Sequence, residues 1–184
     1  QLSVTTDQTA PTVTLTSDAA EVQSGVFTVT ATFSEAVIGF TAEEIVVGNG
    51  TKGTLNGTGT TYTIDVTPTV DGAVTVDVAA DVAEDTATNG NTAATQLSVT
   101  TDQTAPTVAL TSDAAEVQSG VFTVTATFYE AVTGFEIGDI SLNNATTSNF
   151  IATSATVYTV DVTPTADGAV TVDVAADVAE DTAT

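Results

Sequence analysis

The chain has 184 residues and a formal net charge of -23, because 24 acidic residues accompany a single basic one, Lys52. This charge repels nucleic acids and anionic bilayers, so we predict neither nucleic-acid binding nor membrane insertion. Cys and His are both absent, which excludes disulfides and the usual zinc sites. Although high charge often accompanies disorder, 42% of the residues are hydrophobic and Val alternates with Thr, so we expect a folded chain.

The sequence is an internal repeat in which residue 1 aligns with residue 96. Residues 1–40 and 96–135 differ at three positions, and residues 65–88 and 161–184 differ at one: Thr14/Ala109, Ser34/Tyr129, Ile38/Thr133 and Val70/Ala166. The middle of each copy, from residue 41 to 64 in the first, is largely rewritten. A repeat of this length predicts two autonomous domains in tandem, at residues 7–101 and 102–184, because solenoid units are shorter.

Alternating apolar residues predict seven strands in the first copy, which we name A to G in chain order. The apolar residues that mark them are Val13 and Leu15 (A), Phe27 to Phe33 (B), Ile45 and Val47 (C), Leu55 (D), Tyr62 to Val66 (E), Val74 to Val78 (F), and Leu97 and Val99 (G). We expect a break after B at Ser34-Glu35 and a turn between D and E at Gly57-Thr58-Gly59. With no convincing helix, the pattern predicts an all-β fold of two tandem immunoglobulin-like β-sandwiches, each of about seven strands.

The stretch Gln96–Pro106 also opens the chain as Gln1–Pro11. Its first half reads as strand G, and its second half, with an Asp and a Pro, reads as a joint between domains. Residues 1–6 are therefore interpreted as the G strand of a preceding repeat, and the second repeat as truncated before its own G strand. We hypothesise that Gln1–Thr6 adds to the second domain of another molecule.

Acidic residues are concentrated in loops that this topology brings to one pole of each domain. Strand A starts there, strand B ends there, and the F–G loop lies there. In the first domain the pole residues are Asp7, Glu35, Asp81, Glu84, Asp85, Asn89 and Asn91; in the second they are Asp102, Glu130, Asp177, Glu180 and Asp181. The opposite pole of the first domain, which we expect to face the second set, contributes Asp18, Glu21 and Asp71.

Carboxylates this close together repel one another unless a counter-charge neutralises them. None of these loops contains Lys or Arg, so a bound cation is the economical explanation. Oxygen ligands without His or Cys favour Ca²⁺. The alternative is that the loops are simply acidic and hydrated, and no EF-hand loop appears that would decide between them.

Three stretches together resemble a known family: DQTAPTVTLTS, GVFTVTATFSEAVIGF and YTIDVTPTVDGAVTVDVAADVAEDTATNGN. They are similar to the bacterial Ig-like extender repeats of large surface adhesins, RTX-type or biofilm-associated proteins secreted by type I systems. The resemblance implies an extracellular tandem array on the bacterial surface that projects a distal ligand-binding region and is stiffened by calcium. It also implies metal-ligand roles for Asp7 and Asp102, Glu35 and Glu130, and Asp85 and Asp181. Thr88 stands where the family usually has Gly.

Three functions are compatible with this sequence. The first is a structural spacer whose partners are the neighbouring repeats of the same polypeptide. The alternative is a carbohydrate- or protein-binding module that uses the rewritten C–D–E region, with Lys52, Asn143, Asn144 and Phe150. The third is an enzyme, for which paired carboxylates such as Glu43/Glu44 would have to supply acid and base. A small sandwich seldom has the concave pocket this needs, so we predict no enzymatic activity and no catalytic residues.

Overall fold

The computed structural model describes residues 1–20, 22–115 and 119–183. Contacts between residues divide the chain into two compact units, Gln1–Gln103 and Thr104–Thr182. Each unit is built from antiparallel strands, and the two are described separately below.

The first unit contains seven strands: β1 (Val13–Ser17), β2 (Phe27–Val37), β3 (Ile45–Gly48), β4 (Gly50–Lys52), β5 (Asn56–Pro68), β6 (Gly72–Val78) and β7 (Leu97–Thr101). They form a four-stranded sheet in the order β1-β2-β5-β4 and a three-stranded sheet in the order β3-β6-β7. The predicted all-β fold and the predicted seven strands are confirmed for this unit.

Alternation of Val and Phe with Thr fixes which face of each strand is buried. In β2 the apolar residues Phe27, Val29, Ala31 and Phe33 are buried, while the Thr residues between them are more exposed. The same period of two recurs in β5 and β6, and the inward side chains of both sheets form one core. Thr suits the outer positions because its β-branched side chain packs well on a pleated surface.

The second unit contains six strands: β8 (Val108–Ser112), β9 (Phe122–Phe128), β10 (Ile140–Asn143), β11 (Ala145–Ala152), β12 (Val157–Pro164) and β13 (Thr171–Val174). Their sheets have the orders β8-β9-β12-β11 and β10-β13. The larger sheet thus repeats that of the first unit, whereas the smaller sheet has two strands in place of three.

The break predicted at Ser34-Glu35 is wrong, because β2 continues to Val37. Ser34 keeps the strand paired: its N–H donates to Thr12 O at 2.9 Å, and its Oγ accepts from Thr12 N at 3.0 Å. The pairing of β2 with β5 shifts register between Thr32 and Val37, so the irregularity is a bulge in the strand. In the second copy, where Tyr129 replaces Ser34, the strand does end at Phe128.

The turn predicted at Gly57-Thr58-Gly59 is also wrong, because these residues lie inside β5. Gly57 and Gly59 have φ values of 104° and 73°, which glycine adopts without strain, so the strand bends here without ending. Strand D is correspondingly found at Gly50–Lys52 and not at Leu55.

Helical structure in the described residues is limited to two 3-10 turns, Ala42–Glu44 and Ile137–Asp139. No helix in this part of the chain has the length and apolar character needed to cross a membrane.

The two positive-φ glycines of β5 provide a matched test of this bend. A Cβ added to Gly57 would collide with Thr61 O, whereas one added to Gly59 would meet nothing within 4 Å. We expect Gly57→Ala to destabilise the first unit by about 2–3 kcal/mol or more, and Gly59→Ala by about 1 kcal/mol, the cost of the left-handed backbone alone. Urea denaturation of both variants measures the difference; equal losses would contradict the predicted collision.

Candidate metal centre

Three carboxylates from distant parts of the sequence meet at one pole of the first unit. Asp7, Glu35 and Asp85 each offer an oxygen atom, and these oxygens all lie within 4.8 Å of one another. Asp7 is exposed and Glu35 is half-buried, but Asp85 is only 1% exposed. The pole therefore combines a solvent-accessible carboxylate with one that is fixed inside the fold.

Asp7 is positioned by the segment that leads into β1. Its Oδ1 accepts a hydrogen bond from Thr9 N at 3.0 Å, and its backbone carbonyl accepts one from Asn89 Nδ2 at 3.3 Å. Pro11 is buried, and its carbonyl accepts from Thr92 N at 2.8 Å. The segment is thus attached to the loop between β6 and β7 at two places.

Glu35 is positioned by the bulged end of β2. Just beyond it, Ile38 and Glu84 exchange two backbone hydrogen bonds, of 2.7 and 3.1 Å. Beneath the bulge, the Phe33, Phe40 and Tyr62 rings pack edge to face with centroids 5.0–5.9 Å apart. Such aromatic pairs add about 0.5–1.5 kcal/mol each beyond area burial. The strand end that carries Glu35 is therefore fixed both to the loop and to the core.

Asp85 organises the β6–β7 loop through its carboxylate. Oδ1 accepts from Ala87 N at 2.7 Å and from Asn89 N at 2.9 Å, and Oδ2 accepts from Asn89 Nδ2 at 2.8 Å. These hydrogen bonds compensate for its burial. A carboxylate has about four lone-pair sites, so these three hydrogen bonds do not use all the acceptor capacity of Asp85.

Asn91 is a structural residue of the same loop. Its Oδ1 accepts from Val82 N and Ala83 N at 3.0 and 2.8 Å, and its Nδ2 donates to Ala79 O and Thr92 O, both at 2.8 Å. The side chain is 1% exposed. Its amide is occupied by four backbone groups, so it supports the loop and is not offered to a ligand.

The charges at the pole shift two pKa values in opposite directions. Burial, followed by repulsion from Asp7 and Asp85, raises the pKa of Glu35 above its usual value. The hydrogen bond from the Asn89 side chain, followed by that from its backbone N–H, lowers the pKa of Asp85. Asp85 is thus held ionised by the loop, while ionisation of Glu35 is opposed by its neighbours.

The remaining predicted ligands of the first unit lie outside this group of three. Asp81 adopts a φ of 60°, and its carboxylate lies so close to Gly90 that a Cβ there would collide with it. Glu84 takes part through its backbone, and its side chain is exposed. Asn89 directs its amide nitrogen at Asp85, so it acts as a donor to the ligand Asp85.

At the opposite pole, two carboxylates accept hydrogen bonds from backbone N–H groups. Asp18 Oδ1 accepts from Thr28 N at 2.6 Å, and Asp71 Oδ1 accepts from Gln103 N at 2.7 Å. Glu21, predicted to belong to this set, lies outside the described residues.

The second unit repeats part of the arrangement. Glu130 and Asp181, both half-buried, offer oxygens within 4.8 Å of each other. Thr133 and Glu180 exchange backbone hydrogen bonds of 2.7 and 3.1 Å, as Ile38 and Glu84 do. Asp177 has a φ of 61° and Asp81 one of 60°. Asp102, the residue equivalent to Asp7, lies in the sequence two positions before this unit begins at Thr104.

Three of the four residues proposed for a binding surface in the rewritten region have structural roles. Lys52 Nζ donates to Ile45 O at 2.7 Å and to Ala42 O, next to the 3-10 turn. Phe150 stacks on Tyr158 with centroids 5.8 Å apart, and Asn144 Nδ2 donates to Ala166 O at 2.9 Å. Asn143 is exposed within β10.

One member of the Glu43/Glu44 pair proposed for catalysis, Glu44, is similarly engaged. The Thr41 hydroxyl donates to the Glu44 carboxylate, forming part of a capping box at the first 3-10 turn. This hydrogen bond lowers the pKa of Glu44, which is opposite to the change that makes a carboxylic acid a proton donor near neutral pH.

Two consecutive segments of the chain, residues 7–101 and 102–184, match the family model described as a bacterial Ig-like domain. The chain belongs to this family. The resemblance to bacterial Ig-like repeats is thereby confirmed, and the two matched segments are bacterial Ig-like domains in tandem. No curated protein matches the chain in a sequence comparison.

The sequence of this bacterial Ig-like domain marks Thr88 as a departure from the pattern of the resembling family, but the backbone conformation of Thr88 was not predicted. This β-branched residue has a φ of 68°, in the left-handed region that glycine tolerates and a branched side chain does not. Its position just before Asn89 places the strain within the loop that Asp85 organises. The signal was present in the sequence, since Thr88 stands where relatives in the resembling family usually have Gly.

Thr88→Gly should relieve this strain. We expect the variant to stabilise the first unit by about 1 kcal/mol, because glycine removes the steric cost of the left-handed conformation. The control is Thr86→Gly in the same loop, which has no positive φ and should lose about 0.4–1 kcal/mol through the greater freedom of the unfolded chain. Denaturant unfolding checks both; stabilisation by neither would contradict the assignment of strain.

Glu35 provides a pH-dependent test in the absence of divalent ions. Because its folded-state pKa is raised, the folded state binds the proton more tightly, and stability is lost as the pH rises through that pKa. In EDTA at pH 7 we expect Glu35→Gln to melt at a higher temperature than the parent, with the difference disappearing below pH 4.5.

The control for this test is Glu84→Gln, which changes the net charge equally at an exposed position. The melting temperatures of the parent and of both variants are measured from pH 3.5 to pH 8. An equal gain from both variants would mean that total charge, and not the environment of Glu35, causes the effect.

Proposed function

We propose that the two bacterial Ig-like domains are an extender segment of a large surface adhesin, stiffened by Ca²⁺ at their acidic poles. In this role the pair lies outside the bacterial cell and spaces a distal ligand-binding region away from it, in cell adhesion or biofilm formation. The observation that carries the proposal is the Asp7–Glu35–Asp85 cluster, which joins the incoming segment of a domain to that domain's own loops. Type I secretion rests on the family resemblance alone.

The chemistry of the cluster fits calcium. Ca²⁺ takes six to eight oxygen ligands at flexible geometry, and carboxylates and carbonyls are its usual donors. Three carboxylates converge here, and the one basic residue of the chain, Lys52, is engaged with Ala42 O and Ile45 O. Burial, and after it repulsion from Asp7 and Asp85, raises the pKa of Glu35, and a bound cation would favour its ionised form.

The three ligands have different tasks under this proposal. Asp85 is held ionised and immobile by Asn89, so it anchors the ion. Glu35 contributes the end of β2, and Asp7 contributes the segment that precedes β1. An ion shared among them restrains the angle at which the segment enters the domain, because moving Asp7 away then costs ligand bonds.

Asp102 is proposed to act in the second domain as Asp7 does in the first. It follows β7 directly in the sequence, and the second-domain residues equivalent to Glu35 and Asp85 are Glu130 and Asp181. A metal held by this second set would use the joint between repeats as a ligand. The neighbouring repeats of the same polypeptide are then the partners of each domain.

A binding or catalytic function has less support. Of the side chains that would form a recognition surface in the rewritten region, Lys52, Asn144 and Phe150 are engaged with backbone carbonyls or with core rings. A concave surface of about 950 Å³ lies elsewhere, in the second unit, and among the described residues that line it Asp167 is the only ionisable one.

Calcium dependence of melting tests the proposal. A ligand that binds only the folded state stabilises it by RT ln(1 + [L]/Kd), about 2.7 kcal/mol at a hundred times Kd. We expect a higher melting temperature in Ca²⁺ than in EDTA. We also expect the dimensions measured by solution scattering to differ between the two conditions, because Ca²⁺ restricts the motion of the domains. Unchanged melting and unchanged scattering would refute calcium stiffening.

Matched variants locate the ion. Asp7→Asn should lose the calcium effect in the first domain, whereas Asp18→Asn, which removes the same charge at the opposite pole, should retain it. Asp102→Ala should reproduce part of the effect of EDTA in the second domain. Calorimetry with and without Ca²⁺ measures the melting of each domain. If Asp7→Asn and Asp18→Asn reduce the Ca²⁺-induced rise in melting temperature equally, the ion acts by general screening of charge.

A further inference from the structure

The larger sheet of the second unit has an open edge. In the order β8-β9-β12-β11, the edge strand is β11 (Ala145–Ala152), and among the described residues it pairs with β12 alone. Its neighbours in the sequence, β10 and β12, are both described. The edge belongs to the rewritten middle of the repeat, so the two copies can be compared there.

The first unit protects the same edge. Its strand at this place, β4, is short and ends at Lys52, the one basic residue of the chain. Short edge strands and lysine side chains are two devices by which natural sheets prevent the addition of a further strand. The first unit uses both.

The two edges can be aligned residue by residue. Asn49 and Asn144 form the corner that precedes the strand, and both have a φ of 57°. The next residue of each copy pairs with a proline of the neighbouring strand. Counting on from this corner, Thr147 stands where the first unit has Lys52.

The second unit lacks both protections. Its edge strand has eight residues in place of three. Residues 140–160 contain no charged side chain, although the chain has a net charge of -23. Two molecules of such an acidic chain repel each other least where neither surface is charged. The composition of this edge therefore favours the same edge of another copy as its partner.

The backbone of β11 defines how a strand can add to it. The carbonyl of Asn144 accepts a hydrogen bond at 3.1 Å from the residue that follows β12. Because the bonds of an antiparallel ladder alternate, Thr146 also directs its backbone groups to β12. The N–H and C=O groups of Ala145 and Thr147 then point outwards, to the open side.

A bulge limits the usable length of this edge. The pairing of β11 with β12 shifts register between Ser148 and Ile151, and Asn149 has a φ of 52°. A bulge bends its strand and interrupts regular pairing. The regular part of the open edge is therefore residues 145–148.

We propose that β11 pairs antiparallel with β11 of a second copy, about a twofold axis at Thr146. In this register Ala145 of each copy lies opposite Thr147 of the other, and each pair exchanges both backbone hydrogen bonds. Thr146, whose side chain is exposed, faces its own equivalent, and threonine pairs of this kind stabilise neighbouring strands. The contact is isologous, so it closes on two copies and joins their larger sheets into one.

The contact is small, so the dimer is weak. Pairing over residues 145–148 buries less surface than a stable interface requires. The net charge of -23 on each copy opposes association and is screened at about 0.15 M salt. Association should therefore strengthen as salt increases.

Sedimentation of the 184-residue chain in EDTA tests the proposal independently of calcium. At about 0.15 M salt and up to about 1 mM protein, we expect a reversible dimer. Thr146→Lys should weaken it at least ~10-fold, because two like charges then lie directly opposite each other. Thr127→Lys makes the same change of charge at an exposed position of β9 and should dimerise at least as well as the parent. A parent that is monomeric throughout, or equal weakening by both variants, would overturn the proposal.

A mixture of two variants tests the twofold axis. Thr146→Glu alone should also dimerise weakly. An equimolar mixture of Thr146→Lys and Thr146→Glu should dimerise again, because opposite charges then meet across the axis. Recovery in the mixture also shows that both variants are folded. Failure of the mixture to recover would mean that copies associate through another surface and would overturn the proposal.

Cross-linking tests the register. The chain contains no Cys, so a single introduced Cys can form a disulfide only with another copy. In Thr146→Cys the paired Cα atoms would lie about 4.5 Å apart, within the range of a disulfide, and mild oxidation should give a covalent dimer. In Ser148→Cys the two Cys residues lie on opposite sides of the axis and should not cross-link. Equal cross-linking of the two variants would overturn the proposal.

Discussion

Closure of the smaller sheet by its third strand is the constraint on which the packing of each sandwich depends. The two repeats allow the comparison directly, because their F strands are identical in sequence. With β7 in place, Val74, Val76 and Val78 are buried, and without an equivalent strand Val170, Val172 and Val174 are half-exposed. The effect extends across the core to the larger sheet, where Leu110 and Phe122 also lose cover. A single short strand thus determines how much apolar surface both sheets can bury.

The acidic pole depends on the same framework in another way. Asp7, Glu35 and Asp85 come together because β1 begins, β2 ends and β6 turns at one end of the sandwich. Asn89 and Asn91 then fix the loop with amide hydrogen bonds, and the aromatic cluster fixes the end of β2. The fold therefore holds like charges close together and resists the movement that would separate them. Under the calcium proposal, the stability of the sandwich and its affinity for the cation are coupled at this point.

Much of this architecture was predictable from the sequence. Alternating apolar residues predicted β1, β3, β6 and β7, and the repeat predicted two Ig-like domains in tandem. The meeting of the segments that carry Asp7, Glu35 and Asp85 was also predicted, because strand order brings these segments to one pole. Asp81 and Glu84 were predicted with them but lie outside the cluster, since strand order places loops and not individual side chains.

The failures share a physical cause. Ser34-Glu35 and Gly57–Gly59 carry local turn signals, yet long-range pairing between β2 and β5 overrides them and converts both into irregularities within strands. Thr88 shows the converse: the loop imposes a left-handed backbone on a residue that disfavours it. In the two strand cases the decisive interaction is with residues far away in the sequence, which local patterns do not report; at Thr88 it is the hydrogen bonding of the loop to Asp85.

The near-identity of the two copies has a consequence for how such an array folds. Strands β1, β6 and β7 have equivalents elsewhere in the repeat sequence that are identical or nearly so, and β6 does not distinguish between them. Neighbouring domains that share sequence in this way are prone to exchange strands during folding. The rewritten middle limits the error, because β3, β4 and the first half of β5 fit only their own copy. Sequence divergence in this one region thus favours pairing of each strand within its own domain.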